Sequence, residues 1–270
     1  RASSDSRISS SLLIRLAMVA IVAGGLGVVT WQKSINYVRA SVAEGRALNH
    51  FREGDLESTI EELDRAIELA PGVPSYYINR AQVFLSYQLQ PDIFTEPGCN
   101  GQIEVPYLVC LGLQSLESNL ASVAQQPFYY RASIAAANSA FNLQLHESAV
   151  ESYGNAVGMV PNAWQTRNDL AESQINLGLY EEALSNLARS LEITGISGVA
   201  TKALFLKGRA LNGLGQIDEA ISTLNEGLSL SYSSESATDI MAFLRRIDAE
   251  RGVVLDIGFY DREISKKPQD

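Results

Sequence analysis

The fold of this chain is decided by one short stretch, Leu177-Gly178-Leu179-Tyr180-Glu181-Glu182-Ala183. A glycine ends one helix, the chain turns, and two glutamates open a second helix, where the positive end of the helix dipole favours them. Similar turns between helices are predicted at Gly54 and Gly215, and also at Gln144, where glutamine replaces glycine. Gln144 and Gly178 lie 34 residues apart. A helical hairpin repeated at this period predicts a solenoid of stacked hairpins.

Composition sets broad limits on the kind of protein. The chain has 270 residues, and its 46% content of hydrophobic residues is ample for a core. Its formal net charge is −10 and its pI is near 4.8, so nucleic acid is not expected as a partner.

Apolar stripes between the turns predict an all-α fold with about five helical hairpins and a C-terminal capping helix. Residues 88–105 interrupt the second hairpin with prolines and glycines, and are predicted to be a loop insertion. The predicted divisions are a polar N-terminal segment (1–11), a transmembrane helix (12–31), a connecting helix (32–40), a repeat array (41–230), a capping helix (235–251) and a C-terminal tail (252–270).

The transmembrane prediction rests on residues 12–31, which are apolar apart from Arg15. Their number is close to the length that spans a bilayer. Arg15 can snorkel to the interface, and Trp31 stands where an interfacial aromatic belongs. A cleaved signal peptide is the alternative, because residues 23–25 are small. Basic residues flank both ends, so they leave the orientation open.

Two cysteines, Cys99 and Cys110, lie close together in the irregular stretch. An isolated pair predicts a disulfide, and hence a repeat domain in an oxidising, extracytoplasmic compartment. Two unrelated buried thiols are the alternative. A metal site is not expected, because no histidine or further cysteine is near enough in sequence to complete one.

The glycine turns, the alanines after them and the terminal prolines resemble the tetratricopeptide repeat (TPR) family over residues 41–230. The resemblance implies a right-handed superhelix whose concave groove is lined by the first helix of each hairpin. It also implies binding of a peptide or protein in that groove, with no cofactor. Two hairpins depart from the pattern, the second by its insertion and the third by Gln144.

A weaker resemblance combines the apolar span with the acidic repeat array and with Tyr76-Tyr77, residues 94–100 and Pro106-Tyr107. Together they are similar to the C-terminal part of bacterial O-antigen-ligase-type membrane proteins. That resemblance implies a catalytic membrane part located before Arg1.

The inner-helix face of the family, carried over residue by residue, supplies the candidate groove residues. They are Asn138, Phe141, Asn142, Asn168, Glu172, Ile175, Asn176, Lys202, Phe205, Arg209 and Asn212. Five asparagines can clamp an extended peptide backbone through their amides. Lys202 and Arg209, two turns apart on one helix face, can take a carboxylate or a phosphate-like anion. The family's carboxylate clamp is incomplete because Ile134 replaces its first lysine, and ordinary solvated polar residues are the alternative.

Residue patterns for catalysis are missing from the sequence, which has no phosphate-binding loop, serine-nucleophile elbow or metal-ligand spacing. His50 and His146 are predicted to pack or cap helices rather than to act as bases. The sequence therefore predicts a membrane-anchored, non-enzymatic scaffold that binds a protein or peptide without a cofactor. The alternatives are the repeat tail of a polytopic glycan-polymerising enzyme and a secreted or periplasmic adaptor released by signal cleavage.

Overall fold

A computed structural model describes residues 10–89, 107–195, 198–230 and 234–251. Within these ranges the chain forms eleven α-helices and no strand. The helices are α1 (Ser10–Glu53), α2 (Leu56–Leu69), α3 (Pro74–Leu89), α4 (Tyr107–Gln125), α5 (Tyr130–Asn142), α6 (His146–Met159), α7 (Trp164–Asn176), α8 (Tyr180–Thr194), α9 (Thr201–Gly213), α10 (Ile217–Leu230) and α11 (Ser234–Arg251). Most of the predicted N-terminal segment, loop insertion and tail lies outside the described residues.

Ten of these helices pair into five hairpins, α1 with α2 through α9 with α10, and α11 packs against α10. The first helices of neighbouring hairpins also meet, since α7 contacts α9 and α3 contacts α5. We call the surface formed by the first helices α1, α3, α5, α7 and α9 the groove face. The prediction of an all-α solenoid of helical hairpins is confirmed.

Four hairpins turn through the same backbone motif. The turn residue has a positive φ of 80° at Gly54, 77° at Gly178 and Gly215, and 60° at Gln144. In each motif the next N–H donates to the carbonyl five residues earlier, as from Leu179 to Gln174 at 2.9 Å. This hydrogen bond is typical of the Schellman helix ending. Gln144 therefore occupies a conformation that glycine adopts at lower steric cost.

Small residues set the distance between paired helices. Ala171 on α7 and Ala183 on α8 are fully buried in one cluster with Leu187. The helices also approach closely at Gly208 on α9, where an added Cβ would lie 2.6 Å from Cγ and Cδ2 of Leu224 on α10. Alternating small and large residues thus let the helices interlock.

The C-terminal helix α11 packs on the fifth hairpin. Its buried apolar side chains form one cluster with Leu224 and Leu228 of α10. These side chains are Ala237, Ile240, Met241, Leu244 and Ile247. Burial of this face covers apolar surface that α10 would otherwise expose.

The N-terminal helix α1 corrects the transmembrane prediction. Residues 12–31 run without a break into the rest of α1, which is 44 residues long. Its C-terminal part packs against α2 and α3 through Ala40, Ala43 and Ala47. Among the described residues, no helix combines the length and the apolar character that crossing a membrane requires. The predicted transmembrane helix and the membrane localisation derived from it are therefore wrong.

Cys110 lies near the start of α4 and is disulfide-bonded. Its predicted partner, Cys99, lies outside the described residues, so the pairing of the two cysteines stays a prediction.

Candidate functional site

The candidate groove residues all lie on α5, α7 and α9, but the structure places them in three environments. The exposed group is Asn138, Asn142, Asn176 and Lys202. The partly exposed group is Phe141, Glu172, Phe205, Arg209 and Asn212. The buried group is Asn168 and Ile175.

An open cavity of about 580 Å³ lies between the C-terminal ends of α5 and α7. Phe141, Asn142 and Asn176 line it, together with Gln144 from the turn and His146 from the start of α6. The rings of Phe141 and His146 meet edge-on, with centroids 5.5 Å apart and an interplanar angle of 65°. We call this site the α5–α7 cavity. The structure thus brings together three of the predicted groove residues and adds two that the sequence assigned to a turn and to packing.

An ion-pair network joins α7 to α9 on the groove face. The Lys202 ammonium donates to Asp169 Oδ1 at 2.8 Å and lies 3.2 Å from Glu172 Oε2. The Arg209 guanidinium lies 3.6 Å from Glu172 Oε1 and donates to Asn176 Oδ1 at 3.1 Å. Lys202 and Arg209, which the sequence suggested as binding residues for an anionic ligand, are therefore both paired with other side chains of this chain.

Electrostatics at Lys202 reflect this pairing. Burial alone lowers the pKa of an ammonium group, but the hydrogen bond and charge of Asp169, with those of Glu172, outweigh it and raise the pKa of Lys202 above its ordinary value. Asp169 was missed at the sequence level. The signal was present, because Asp169 and Glu172 are three residues apart and so share a helix face.

Asn168 and Ile175 are corrected from groove residues to interior residues. Asn168 is 1% exposed and Ile175 is 8% exposed. Neither amide atom of Asn168 has a hydrogen-bond partner among the described residues. Seven residues separate these two positions, so both lie on the α7 face that meets neighbouring helices.

The remaining candidates make contacts of their own. Asn138 Oδ1 accepts a hydrogen bond from the Tyr153 hydroxyl at 2.6 Å. Burial, with the nearby charges of Asp169 and Glu172, raises the pKa of Tyr153, so this hydroxyl stays a donor. Phe205 packs edge-on against Phe243 of α11, with centroids 6.0 Å apart. The α5–α7 cavity thus brings together the amide of Asn142 and the Nδ2 group of Asn176, whose Oδ1 accepts a hydrogen bond from Arg209.

Asn212 near the end of α9 is half-buried, and its Oδ1 has no hydrogen-bond partner among the described residues. Within the described residues, no group of three or more His, Cys, Asp or Glu side chains is placed to hold a metal ion.

Comparison with known families explains the hairpin array. Models of the tetratricopeptide repeat match residues 134–197 and 201–233. The hairpins from α5 to α10 are therefore similar to those of the TPR family. In that family the first helix of each repeat lines the groove, which is where α5, α7 and α9 carry the candidate residues.

Solved structures of TPR proteins share the fold. A MamA structure has a TM-score of 0.56 at 13% identity, and the match covers 80% of this chain and 97% of that one. MamA from Desulfovibrio magneticus RS-1 has a TM-score of 0.55 at 9% identity, covering 71% and 94%. YrrB, a TPR protein with an unusual peptide-binding site, has a TM-score of 0.55 at 14% identity, covering 70% and 84%. At these identities the likeness shows the fold alone.

No curated protein matches the chain. The family and structural matches give no support to the weaker resemblance to O-antigen-ligase-type membrane proteins.

Proposed function

We propose that this TPR array is a non-enzymatic scaffold that binds an extended peptide segment of a partner protein along its groove face. The α5–α7 cavity carries the proposal, because Phe141, Asn142 and Asn176 meet there on adjacent repeats. The Asn142 amide can donate and accept hydrogen bonds, and the Asn176 amide can donate through Nδ2 while its Oδ1 accepts from Arg209. Such groups can pair with a peptide backbone whatever the side chains of the peptide. The aromatic rings beside the amides supply apolar contact area.

The charge distribution supports a backbone-bound ligand over an anionic one. Lys202 and Arg209 are already paired with Asp169 and Glu172. An incoming carboxylate or phosphate would have to compete with these partners, and it would meet the like charge of the two acids. A neutral peptide backbone meets neither obstacle.

The peptide-binding site named for YrrB is consistent with a peptide ligand on this fold. Nothing in the described residues favours the other two functions, a repeat tail of a glycan-polymerising membrane enzyme or an exported adaptor.

Peptide selection on the purified full chain tests the proposal. Phage-displayed random peptides are enriched on the wild type, and the best binder is titrated against variants by fluorescence anisotropy. A net hydrogen bond is worth about 0.5–1.5 kcal/mol, so Asn142→Ala combined with Asn176→Ala should weaken binding by about tenfold.

The matched control is Asn155→Ala. Asn155 is an exposed asparagine on α6, a second helix outside the groove face. The Asn155→Ala variant should bind the selected peptide with the affinity of the wild type. Full affinity of the Asn142→Ala/Asn176→Ala variant, with its melting curve intact, would contradict binding at the α5–α7 cavity.

A further inference from the structure

A second cavity lies at the other end of the groove face, between α1 and α3 above α2. Its volume is about 290 Å³, and we call it the α1–α3 pocket. Four side chains that are each 2% exposed form its floor: Ala47, Thr59, Leu63 and Val83. None of its residues belongs to the α5–α7 cavity or was chosen as a groove residue from the sequence.

The walls of the pocket expose apolar surface to solvent. Leu48 and Phe51 line it while remaining 50% and 38% exposed. They lie three residues apart on α1 and so share a helix face. Gly45 lies beside them, and a Cβ added there would meet no atom within 4 Å. The pocket is therefore open where an apolar side chain of a ligand can enter.

The size of the pocket limits what it can hold. Small-molecule sites occupy roughly 300–1,000 Å³, so this pocket lies at the lower limit of that range. A volume of this order suits one or two side chains of a longer ligand. Because the pocket lies on the groove face, a peptide that follows the groove passes over it.

One charged side chain, Glu44, lines the pocket. Its Oε1 accepts a hydrogen bond from Asn79 Nδ2 at 3.0 Å. Glu44 is half-buried, and this burial raises the pKa of its carboxyl group against the opposing effect of that hydrogen bond. No ion pair to Glu44 occurs among the described residues.

Two arginines on the helices that line the pocket pair with other acids. Arg46 on α1 pairs with Glu62 at 3.1 Å, and Arg80 on α3 pairs with Asp64 at 2.7 Å. The pocket thus combines a largely apolar floor with a carboxylate that pairs with no cation of the described residues. A ligand complementary to it carries an apolar group with a positive charge beside it.

We propose that the α1–α3 pocket receives an apolar side chain of the partner peptide, with an adjacent Lys or Arg of that peptide pairing with Glu44. This rests on the proposed function, because the peptide is the one bound along the groove face. It assigns the peptide a sequence preference that backbone clamping at Asn142 and Asn176 does not supply.

Defined peptide pools test this preference on the full chain. Each pool is a fluorescein-labelled nonapeptide mixture with uncharged residues around a fixed central pair. The central pairs are Leu-Lys, Leu-Gln, Leu-Glu and Ala-Lys. We expect Leu-Lys to bind about tenfold more tightly than Leu-Gln, from the charge-assisted hydrogen bond. We expect it to bind at least about tenfold more tightly than Ala-Lys, from burial of the larger side chain.

Two variants separate the apolar and charged parts of the pocket. Gly45→Leu places a side chain in the pocket from α1 and improves helix propensity, so the protein should still fold. The variant should bind the Leu-Lys pool no more tightly than the Ala-Lys pool. Glu44→Gln retains an oxygen acceptor for Asn79 and should abolish the preference for Leu-Lys over Leu-Gln. The control Gly154→Leu makes the same change on α6, where the added Cβ also meets open space. It should leave every affinity unchanged.

Several outcomes overturn the inference. It fails if Gly45→Leu leaves Leu-Lys binding intact, if Leu-Glu binds as well as Leu-Lys, or if no pool binds the wild type. The Asn142→Ala/Asn176→Ala variant separates this failure from failure of the proposed function. If it weakens binding while Gly45→Leu does not, the peptide-binding scaffold stands and the α1–α3 pocket is not part of it. If no pool binds, the phage selection still decides the scaffold function.

Discussion

Replacing Gly208 with alanine tests how tightly α9 and α10 are interlocked. The added Cβ would lie 2.6 Å from Cγ and Cδ2 of Leu224 and 3.3 Å from its Cδ1. Leu224 is 0% exposed and packs in the cluster formed with α11. Because the overlap reaches Cγ and not only a methyl tip, a rotation of the terminal methyl groups cannot relieve it. Either the leucine or the two helices must move.

Two opposing effects set the change that Gly208→Ala makes in the free energy of unfolding. Alanine in a helix interior is favoured over glycine by about 0.8–1.0 kcal/mol. Overpacking a close-packed core costs about 1–3 kcal/mol. Gly208→Ala should therefore change the free energy of unfolding by roughly 0 to −2 kcal/mol. Gly154 on α6 provides the reference, because its Cβ would meet nothing within 4 Å and only the favourable term applies. Gly154→Ala should stabilise the protein by about 0.5–1 kcal/mol.

Subtracting the two results removes helix propensity and leaves the overpacking term. Urea unfolding at 25 °C, followed by circular dichroism, gives both values, and equal m-values for the three proteins show that the transitions are comparable. We expect Gly208→Ala to be less stable than Gly154→Ala by about 1–3 kcal/mol. A difference within about 0.5 kcal/mol, the range of changes at sites without close neighbours, would refute the packing of α9 on α10 described above.

Two further predictions concern the turns and the ion pairs. Gln144→Gly should stabilise the protein by up to about 1 kcal/mol and Gly178→Gln should destabilise it comparably, because a left-handed residue costs about 1–2 kcal/mol without glycine. Urea midpoints measure both, and a Gln144→Gly protein less stable than wild type would contradict the expectation. The raised pKa of Lys202 means that the stability it contributes is present below its ordinary pKa of 10.5 and lost as pH rises through the folded-state value. Wild type should thus lose more stability than Lys202→Met as the pH rises above 10.5. Equal losses in urea melts would show that pairing with Asp169 and Glu172 does not stabilise the fold.

The repeat architecture could be predicted because its signals are local. A left-handed turn residue, an acid in the first helical turn and an apolar stripe each act within a few residues of chain. They identified the turn at Gln144 although glycine is missing there, and φ at this residue is 60°. The apolar run over residues 12–31 also led to the prediction of a transmembrane helix, which is wrong because no helix among the described residues is long and apolar enough to cross a membrane.

The groove residues were only partly predictable, because they depend on how each helix is rotated about its axis. Successive residues of an α-helix differ in direction by about 100°, so a shift of one position moves a side chain from the groove to the core. On α7 this shift separates buried Asn168 from Asp169, which binds Lys202 at 2.8 Å. Sequence spacing alone could not show that rotation.

The sequence by itself thus determined the helices, their turns and their pairing into hairpins, since these follow from backbone preferences and hydrophobic periodicity within one repeat. Only the tertiary structure decided which side chains face outward together. The occupation of Lys202 and Arg209 by acids of the preceding repeat, and the pocket formed by Glu44, Gly45 and Phe51 over α2, each depend on contacts between helices that are distant in sequence. Such contacts are fixed by how the repeats pack against one another, and no local signal along the chain specifies that packing.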